Sequence, residues 1–488
     1  MLLGLDLGTT NVKAVVTDFG GRQLGEGSCA VHLFQLGGGG VEQDIEEIWS
    51  ATLSAVREAV RSVDASGIKA IGVSSQGGAM QMLDAQGRPS GRVIGWLDQR
   101  GAPFDDALGA ELGEPWFARR LGHGRSGLAI GQLLRLRQEN PAALAAPNRI
   151  GFVGDVIVSR LCGRAAHDGT SCSLTLLYNP ARRDYDPDLL ARLGVSPARL
   201  PDLVSAREAA GGLLASFAQE TGLPPGIPVS AAIHDQYTAA LATGAVRAGT
   251  VMVGTGTVWV LLAIGDSLTA PATPDAFVCD HAAEGLWGQL LSLENGGSAL
   301  SWALDLTGQR GAGGDDIDRL LESAPPGSDG VRCWPLFTAL PVAGLAPDTK
   351  GRISGLRLSH RPSHVIRAVL EGLAFELRRH IGLLDEAGLP VKRLALSGRA
   401  ASSRVTPALL AAATGLPLDC AGNRASSTLG AAIVARGLCE PASPLAKLAE
   451  EMAPAASHVE PAPGASALYQ EQFKEYLREL TPAQASPR

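Results

Sequence analysis

Residues 2–18 read LLGLDLGTTNVKAVVTD and hold the first residue types able to do chemistry. Asp6 stands two places before Gly8-Thr9-Thr10. Such a Gly/Thr turn gathers backbone N–H groups and two hydroxyls with almost no side-chain bulk, a concavity suited to phosphate oxygens. An aspartate just ahead of it could hold a magnesium ion, mostly through water. The plain alternative is an N-terminal hairpin with a glycine turn, because short motifs recur by chance. A second stretch, GTVMVGTGTVWVLLAI at 249–264, repeats the pattern: an apolar run, Gly254-Thr255-Gly256-Thr257, and another apolar run. The third candidate is Asp235, within His234-Asp235-Gln236. It closes the apolar run 229–233 and opens a small-residue helix over 238–245, where free N–H groups favour an ionised carboxylate. An ordinary N-cap aspartate has the same signature. His234 reads as an orienting neighbour rather than a catalyst.

Elements must place these groups. Leu3, Leu5 and Leu7 alternate with Gly4, Asp6 and Gly8, and Val12, Ala14 and Val16 do the same, which predicts two half-buried strands around the first turn. A third strand is expected near 22–28. Asp44 reads as an N-cap with Glu47 as its capping partner. Ile45, Ile48, Trp49, Val56 and Val60 then fall on one helical face. The strand over 70–73 delivers Ser74-Ser75-Gln76-Gly77-Gly78 to its C-terminal end, where parallel sheets gather ligands. In WLDQR at 96–100, Asp98 and Arg100 are either substrate contacts or an ion pair of little consequence. Residues 166–179 suggest a polar sub-element over a cleft. The Gly/Asp/Pro-rich segment 308–330 reads as a surface excursion. Helices are expected near 128–139 and 152–162, after Glu294–Ser298, after Ser397–Ala400, and from Thr428. The last helix comes after a Pro/Ala-rich linker at 453–466.

Composition narrows the class. The chain has 488 residues, 45% hydrophobic and 19% charged, with a formal net charge of −7, enough for two or three domains and a large core. No basic block marks a nucleic-acid partner. The N-terminus enters a strand at once, so neither a signal peptide nor a membrane span is expected. Seven scattered cysteines without metal-ligand spacing predict reduced thiols and a cytoplasmic location.

A hairpin with a small-residue phosphate turn near the start of each half is similar to the layout of the actin, hexokinase and chaperone ATPase superfamily. That resemblance implies an α/β fold with two ribonuclease-H-like domains around a central cleft. The expected ranges are 1–243 for sugar binding, the first phosphate hairpin and the catalytic aspartate, 244–440 for the nucleotide, and 441–488 for a linker and docking helix. More specifically, the chain resembles the FGGY carbohydrate kinases, with the xylulokinase branch nearest. The strongest piece is GRISGLRLSHRPSHVIRAVLEG at 351–372. Gly351, Ile353, Gly355, Leu356, His364, Val365, Ala368, Glu371 and Gly372 stand at the family's positions. VEQD at 41–44, WLDQR at 96–100, AHDGT at 166–170 and the residues from 235 onward fit the same register.

The resemblance implies roles. Asp6 matches the magnesium-associated aspartate. Gly8, Thr9, Thr10 and Lys13 match the first phosphate loop, and Gly256 and Thr257 the second, with Gly254-Thr255 as a one-step slip. Gly297 and Gly398 match loops that frame the nucleotide. Asp235 matches the catalytic base and Gln236 an adjoining sugar-contacting amide. Gln76 lies on the loop that contacts the sugar, and Asp98 and Arg100 stand beside it. The implied ligands are ATP, Mg2+ and a small sugar or polyol, first of all a 2-ketopentose such as D-xylulose. Neither nucleic acid nor membrane is an expected partner, and a homodimer is left open. Another ketose, polyol or aldonate is the alternative acceptor. An actin- or chaperone-like ATPase and a non-catalytic sugar-binding regulator are the alternatives of other classes. Four departures bear on specificity: Gly77-Gly78 in place of Met-His, Val153-Gly154 in place of Pro-Lys, His234 in place of Gly, and Ser397-Gly398-Arg399 in place of a glycine triplet.

Overall fold

The leucine alternation at the N-terminus becomes β1 (Leu2–Leu7), which pairs antiparallel with β2 (Asn11–Thr17) and sets Asp6 directly opposite Lys13. This is seen in a computed structural model that describes residues 1–338, 345, 349–421 and 426–480. Chain contacts divide it into two compact units: Met1–Ala248 with Ile264–Gly288 and Ala425–Ala453, and Gly249–Ala263 with Gln289–Arg424 and Pro454–Arg488.

In the first unit, β3 (Gln23–Ala30) continues the meander antiparallel to β2. Helix α1 (Ile45–Val60) then carries the chain across to β4 (Ile71–Ser75), which lies parallel to β1 with Ser74 beside Asp6. A parallel neighbour needs such a crossover. Leu3, Leu5 and Leu7 of β1 share one hydrophobic cluster with Ile48, Ala55, Val56 and Ala59 of α1. Asp44 caps α1 by accepting from the Glu46 N–H at 2.9 Å. The expected reciprocal cap from Glu47 is absent, because Glu47 pairs with His32 instead. Helix α2 (Val153–Cys162) packs against this sheet, and β5 (Ala166–His167) and β6 (Pro228–His234) extend it, giving the order β5-β6-β4-β1-β2-β3. Helix α3 (Asp235–Ala242) starts on the residue after β6 ends. In the Ser/Thr-rich stretch after 166, Thr170, Ser171, Ser173 and Thr175 are all buried.

The second unit repeats this plan. β7 (Thr250–Thr255) and β8 (Trp259–Gly265) form the antiparallel hairpin. With β9 (Trp287–Ser292), β10 (Arg393–Gly398), β11 (Leu418–Cys420) and β12 (Ser457–Val459), the order is β9-β8-β7-β10-β11-β12. β10 runs parallel to β7 with Ser397 beside Gly254, the counterpart of Ser74 beside Asp6. Helices α4 (Gly297–Leu306), α5 (Pro362–Glu386) and α6 (Thr406–Thr414) flank the sheet. The segment 308–330 is not a bare excursion: 314–322 form a helix whose Leu321 is buried, since its apolar positions fall at helical spacing.

The chain then returns to the first unit as α7 (Ser427–Cys439), lying on β1, β4 and α3. The approach is so close that a side chain at Gly72 would strike the Ala431 carbonyl, and one at Gly430 the Thr238 carbonyl. The final helix, α8 (Pro463–Leu480), belongs to the second unit, and 481–488 of the expected linker and docking segment lie outside the described residues. Tyr469 of α8 donates to Glu371 at 2.9 Å, and Glu371 also accepts from the Gly327 N–H at 2.8 Å, the Ser328 hydroxyl at 2.9 Å and Arg367 at 3.0 Å. Glu371, the most polar buried member of the 351–372 pattern, thus ties a helix, a turn and the last helix together. Its burial raises its pKa above the ordinary value, with the donors opposing.

Candidate active site

The first turn, Gly8-Thr9-Thr10, joins β1 to β2. The Gly8 N–H donates to the Asn11 carbonyl at 3.1 Å and closes it. Among the described residues the N–H groups of Thr9 and Thr10 find no partner. Asp6, on the face away from the buried leucines, accepts from the Ser74 hydroxyl at 2.7 Å. The Thr238 hydroxyl stands 3.0 Å from Ser74 Oγ and 2.9 Å from the backbone oxygen of Asp235. A chain of hydroxyls therefore links β1, β4 and the start of α3. Burial, and after it the charge of Asp235, push the Asp6 carboxyl up to about 6; Ser74 and Lys13 oppose this.

Asp235 occupies the first position of α3. Its Oδ1 accepts from Gln236 Nε2 at 3.1 Å, and His234 Nε2 lies 3.4 Å away. No arginine or lysine pairs with it among the described residues. Burial raises its pKa to about 6, with Gln236 opposing, while 28% of the side chain stays open. This is a carboxylate that ionises just below neutrality and can accept a proton. His234 is buried and held neutral, its pKa lowered to about 3 by burial. Its backbone N–H is anchored on the Thr170 hydroxyl at 3.0 Å, and its Nδ1 has no partner.

Gln76 comes directly after β4, its N–H on the Leu7 carbonyl at 3.0 Å. Its side chain touches the first turn: Thr9 Oγ1 donates to Gln76 Oε1 at 3.2 Å. Gly77 leaves no room for a side chain, since a Cβ would come within 2.6 Å of Leu174 and 2.8 Å of the His234 ring. The Gly77 and His234 departures are therefore one feature, because the ring fills the space a larger residue at 77 would need. Asp98 and Arg100 bind each other, with Arg100 Nη2 2.6 Å from Asp98 Oδ2 and 2.7 Å from Glu42 Oε1. Asp98 also accepts from the Val41 N–H at 2.9 Å and from Gln132 at 3.1 Å, and its side chain is fully covered. The pair is an internal clamp on the loop that carries Trp96. The indole N–H of Trp96 reaches Thr9 Oγ1 at 3.1 Å.

In the second unit, Gly256-Thr257-Val258 is the exposed turn between β7 and β8, and β7 runs on through Gly254 and Thr255. The Gly297 N–H donates to the Gly256 carbonyl at 3.0 Å and the Ser298 N–H to that of Thr257 at 2.9 Å. A Cβ on Gly297 would sit 2.6 Å from the Gly256 oxygen. Gly398 ends β10 with φ +86°, and a Cβ there would sit 2.8 Å from Thr255 Oγ1. Gly256, Thr257, Gly297 and Gly398 thus come together around one turn. In the first unit Asp6, Lys13, Gly8, Thr9, Thr10, Gln76, Asp235 and Gln236 belong to one sheet edge. Reading the chain alone missed Ser74, Thr238 and Gln43; only the Ser74-Ser75 pair at a strand end hinted at the first.

Asp6 and Asp235 are two carboxylates whose mutual repulsion a hard cation would relieve. No group of three His, Cys, Asp or Glu side chains able to hold a metal occurs among the described residues. Such an ion would take its remaining ligands from water and phosphate oxygens, the usual habit of Mg2+. The donor set fits it.

Comparison with known proteins agrees with this geometry. The N-terminal domain model of the FGGY family of carbohydrate kinases matches residues 1–242, and the C-terminal domain model matches residues 249–436. A glycerol kinase of Alkalilimnicola ehrlichii is 30% identical over 455 residues, 90% of each chain. The xylulose kinase of Escherichia coli K12 is 27% identical over 496 residues, covering 99% of this chain and all of the relative. The crystal structure of a xylulose kinase from Rhodospirillum rubrum superposes with a TM-score of 0.89 at 25% identity, over 98% of this chain and 97% of that one. By its two matched domains and its near-complete alignment to such relatives, the chain belongs to the FGGY family of carbohydrate kinases, enzymes that transfer a phosphoryl group to a carbohydrate acceptor.

Proposed function

We propose that this kinase moves the γ-phosphoryl group of MgATP to a primary hydroxyl of a small open-chain sugar or polyol, D-xylulose being the first acceptor to try. The observation that carries the reading is Asp235: a partly open carboxylate at a strand end with no arginine or lysine partner among the described residues, its pKa raised to about 6, and its backbone oxygen joined through Thr238 and Ser74 to Asp6. In this mechanism Asp235 accepts the acceptor's hydroxyl proton as that oxygen forms a bond to the γ-phosphorus. The bond from γ-phosphorus to the β,γ-bridging oxygen breaks, and ADP leaves with those electrons. The transition state is loose, so positioning and charge neutralisation supply most of the rate. The turn Gly8-Thr9-Thr10, through the N–H groups of Thr9 and Thr10 and the Thr10 hydroxyl, with Lys13 nearby, takes the transferring phosphate. Gly256, Thr257, Gly297 and Gly398 take the nucleotide. Asp6 would hold Mg2+, which neutralises phosphate charge when bound. Gln76 and Gln236 face the acceptor, with Arg100 and its partner Asp98 framing that side.

Glycerol is the second acceptor, because glycerol kinase and xylulose kinase relatives align at similar identity. Gly77-Gly78 and His234 are the residues expected to set the choice. A cytoplasmic site of action completes the reading. It is tested by coupled ADP release over D-xylulose, L-xylulose, glycerol, larger polyols and gluconate. Turnover that depends on one acceptor class supports it. ATP hydrolysis indifferent to every acceptor would instead favour an actin- or chaperone-like ATPase, and no turnover at all a binding protein.

A further inference from the structure

The first turn contains a closed circuit of hydrogen bonds. Thr9 Oγ1 donates to Gln76 Oε1 at 3.2 Å, Gln76 Nε2 donates to Gln43 Oε1 at 3.1 Å, and Gln43 Nε2 donates back to the Thr9 carbonyl at 3.0 Å. Trp96 Nε1 enters from outside, donating to Thr9 Oγ1 at 3.1 Å. Gln43 is completely buried and Gln76 nearly so. A hydroxyl has one hydrogen, and that of Thr9 is directed at Gln76 while a lone pair receives the indole. The Thr9 hydroxyl therefore has no hydrogen left for a phosphate oxygen. Thr10 differs: it is exposed, its Oγ1 accepts from Asn11 Nδ2 at 3.2 Å, and its own hydrogen stays available. Both bonds from the amide of Gln43 are needed to fix the orientation of Gln76, with its oxygen toward the turn and one N–H toward Gln43. Linked donors of this kind polarise and rigidify one another.

We infer that Thr9 and Gln43 are positioning residues for the acceptor side, holding the Gln76 amide in place, and that phosphate recognition by the first turn falls to Thr10 and the backbone N–H groups. This rests on the reading of Gln76 as an acceptor contact. The two neighbouring threonines thus do different work despite identical side chains.

The test compares Thr9→Val, Thr9→Ser, Thr10→Val and Gln43→Met in the full-length enzyme. The acceptor is whichever compound of the screen turns over, and the nucleotide probe is the magnesium complex of a non-hydrolysable ATP analogue that keeps its γ-phosphate, measured by calorimetry. Thr9→Val and Gln43→Met should raise the acceptor KM about five- to twentyfold and leave the Kd of the analogue within about twofold. Thr9→Ser, which restores the hydroxyl, should return the acceptor KM to within about twofold of wild type. Thr10→Val should do the reverse of Thr9→Val, weakening the analogue about fivefold with the acceptor KM unchanged. The proposal is overturned if Thr9→Val weakens the analogue as much as Thr10→Val does, or if Thr9→Ser is no better than Thr9→Val. The threonine variants decide the matter should Gln43→Met not fold. Failure of the parent reading looks different: wild type itself turns over no acceptor, and this proposal falls with it.

Discussion

The hairpins β1–β2 and β7–β8 are built alike, yet they carry opposite chemistry. Each has a three-residue turn, a third strand on one side and a parallel strand on the other. At the position where the first has Asp6 opposite Lys13, the second has Gly254 opposite Val260. The parallel partner is a serine in both, Ser74 and Ser397, but just beyond it stands Gln76 in one and Arg399 in the other. One unit therefore holds charges that titrate, while the other offers mainly backbone N–H groups around glycines. A phosphoryl-transfer enzyme needs both: groups that manage a proton and a cation, and a neutral cradle that does not repel phosphate. A common scaffold provides the turn, and on the proposed reading single residues on it divide the labour.

The sharpest way to break this comparison is Asp235→Asn. It should lower kcat by about 10²–10⁴-fold with the MgADP Kd within about twofold of wild type, read by steady-state kinetics and calorimetry. Normal turnover would remove Asp235 as the base. Next comes Asp6→Asn, expected to cost about 10²-fold in kcat. It also has a pH signature. Asp235 must be ionised to accept a proton, so wild-type kcat/KM should rise as pH climbs through about 6 and level off above it. Burial rather than Asp6 holds the Asp235 carboxyl up, with Gln236 opposing, so that limb should stay in place in the Asp6→Asn variant; a limb displaced by a full pH unit would make Asp6 part of the proton acceptor. On the other hairpin, Gly398→Ala forces a side chain at φ +86° within 2.8 Å of Thr255 Oγ1. It should weaken MgADP about five- to tenfold with the acceptor KM unchanged. Equal damage to nucleotide and acceptor there would mean that the second turn is not a separate cradle. The smallest effect is on stability. Burial raises the Asp6 and Asp235 carboxyls from the ordinary 3.8 to about 6, so the folded state keeps protons that the unfolded state loses between those values. Stability is therefore undiminished below about 4 and reduced above about 6. Asp6→Asn should raise the Tm at pH 8 by a few degrees more than at pH 4, measured by calorimetry.

Much of the site was legible in the chain because its signals are local. The leucine alternation of 2–7, the two Gly/Thr turns and the strand-end Asp235 each occupy fewer than a dozen residues, and each became the element it predicted, save that the second turn begins at Gly256 because the strand runs on through Gly254 and Thr255. The misread parts depended on distant partners or on composition that hides a period. Glu47 looks like a capping residue until the fold brings His32 to it. Segment 308–330 looks like loop because its glycines and aspartates mask the helical spacing of Ile317, Leu320 and Leu321. Asp98 and Arg100 look like a surface pair, yet Val41 and Gln132 cover the carboxylate completely.

The sequence by itself determined the two hairpins, the aspartate at a strand end and the family, since periodicity, turn residues and motif spacing are written along the chain. Only the tertiary structure decided which unit receives α7, which threonine faces Gln76, and which carboxylates share a charge. The physical reason is that a hydroxyl has one hydrogen and a carboxylate answers to whatever charge lies near it. The hydrogen-bond partners alone stand 67 residues away for Thr9, 68 for Asp6 and 34 for Gln43. No local period records where the fold will bring them.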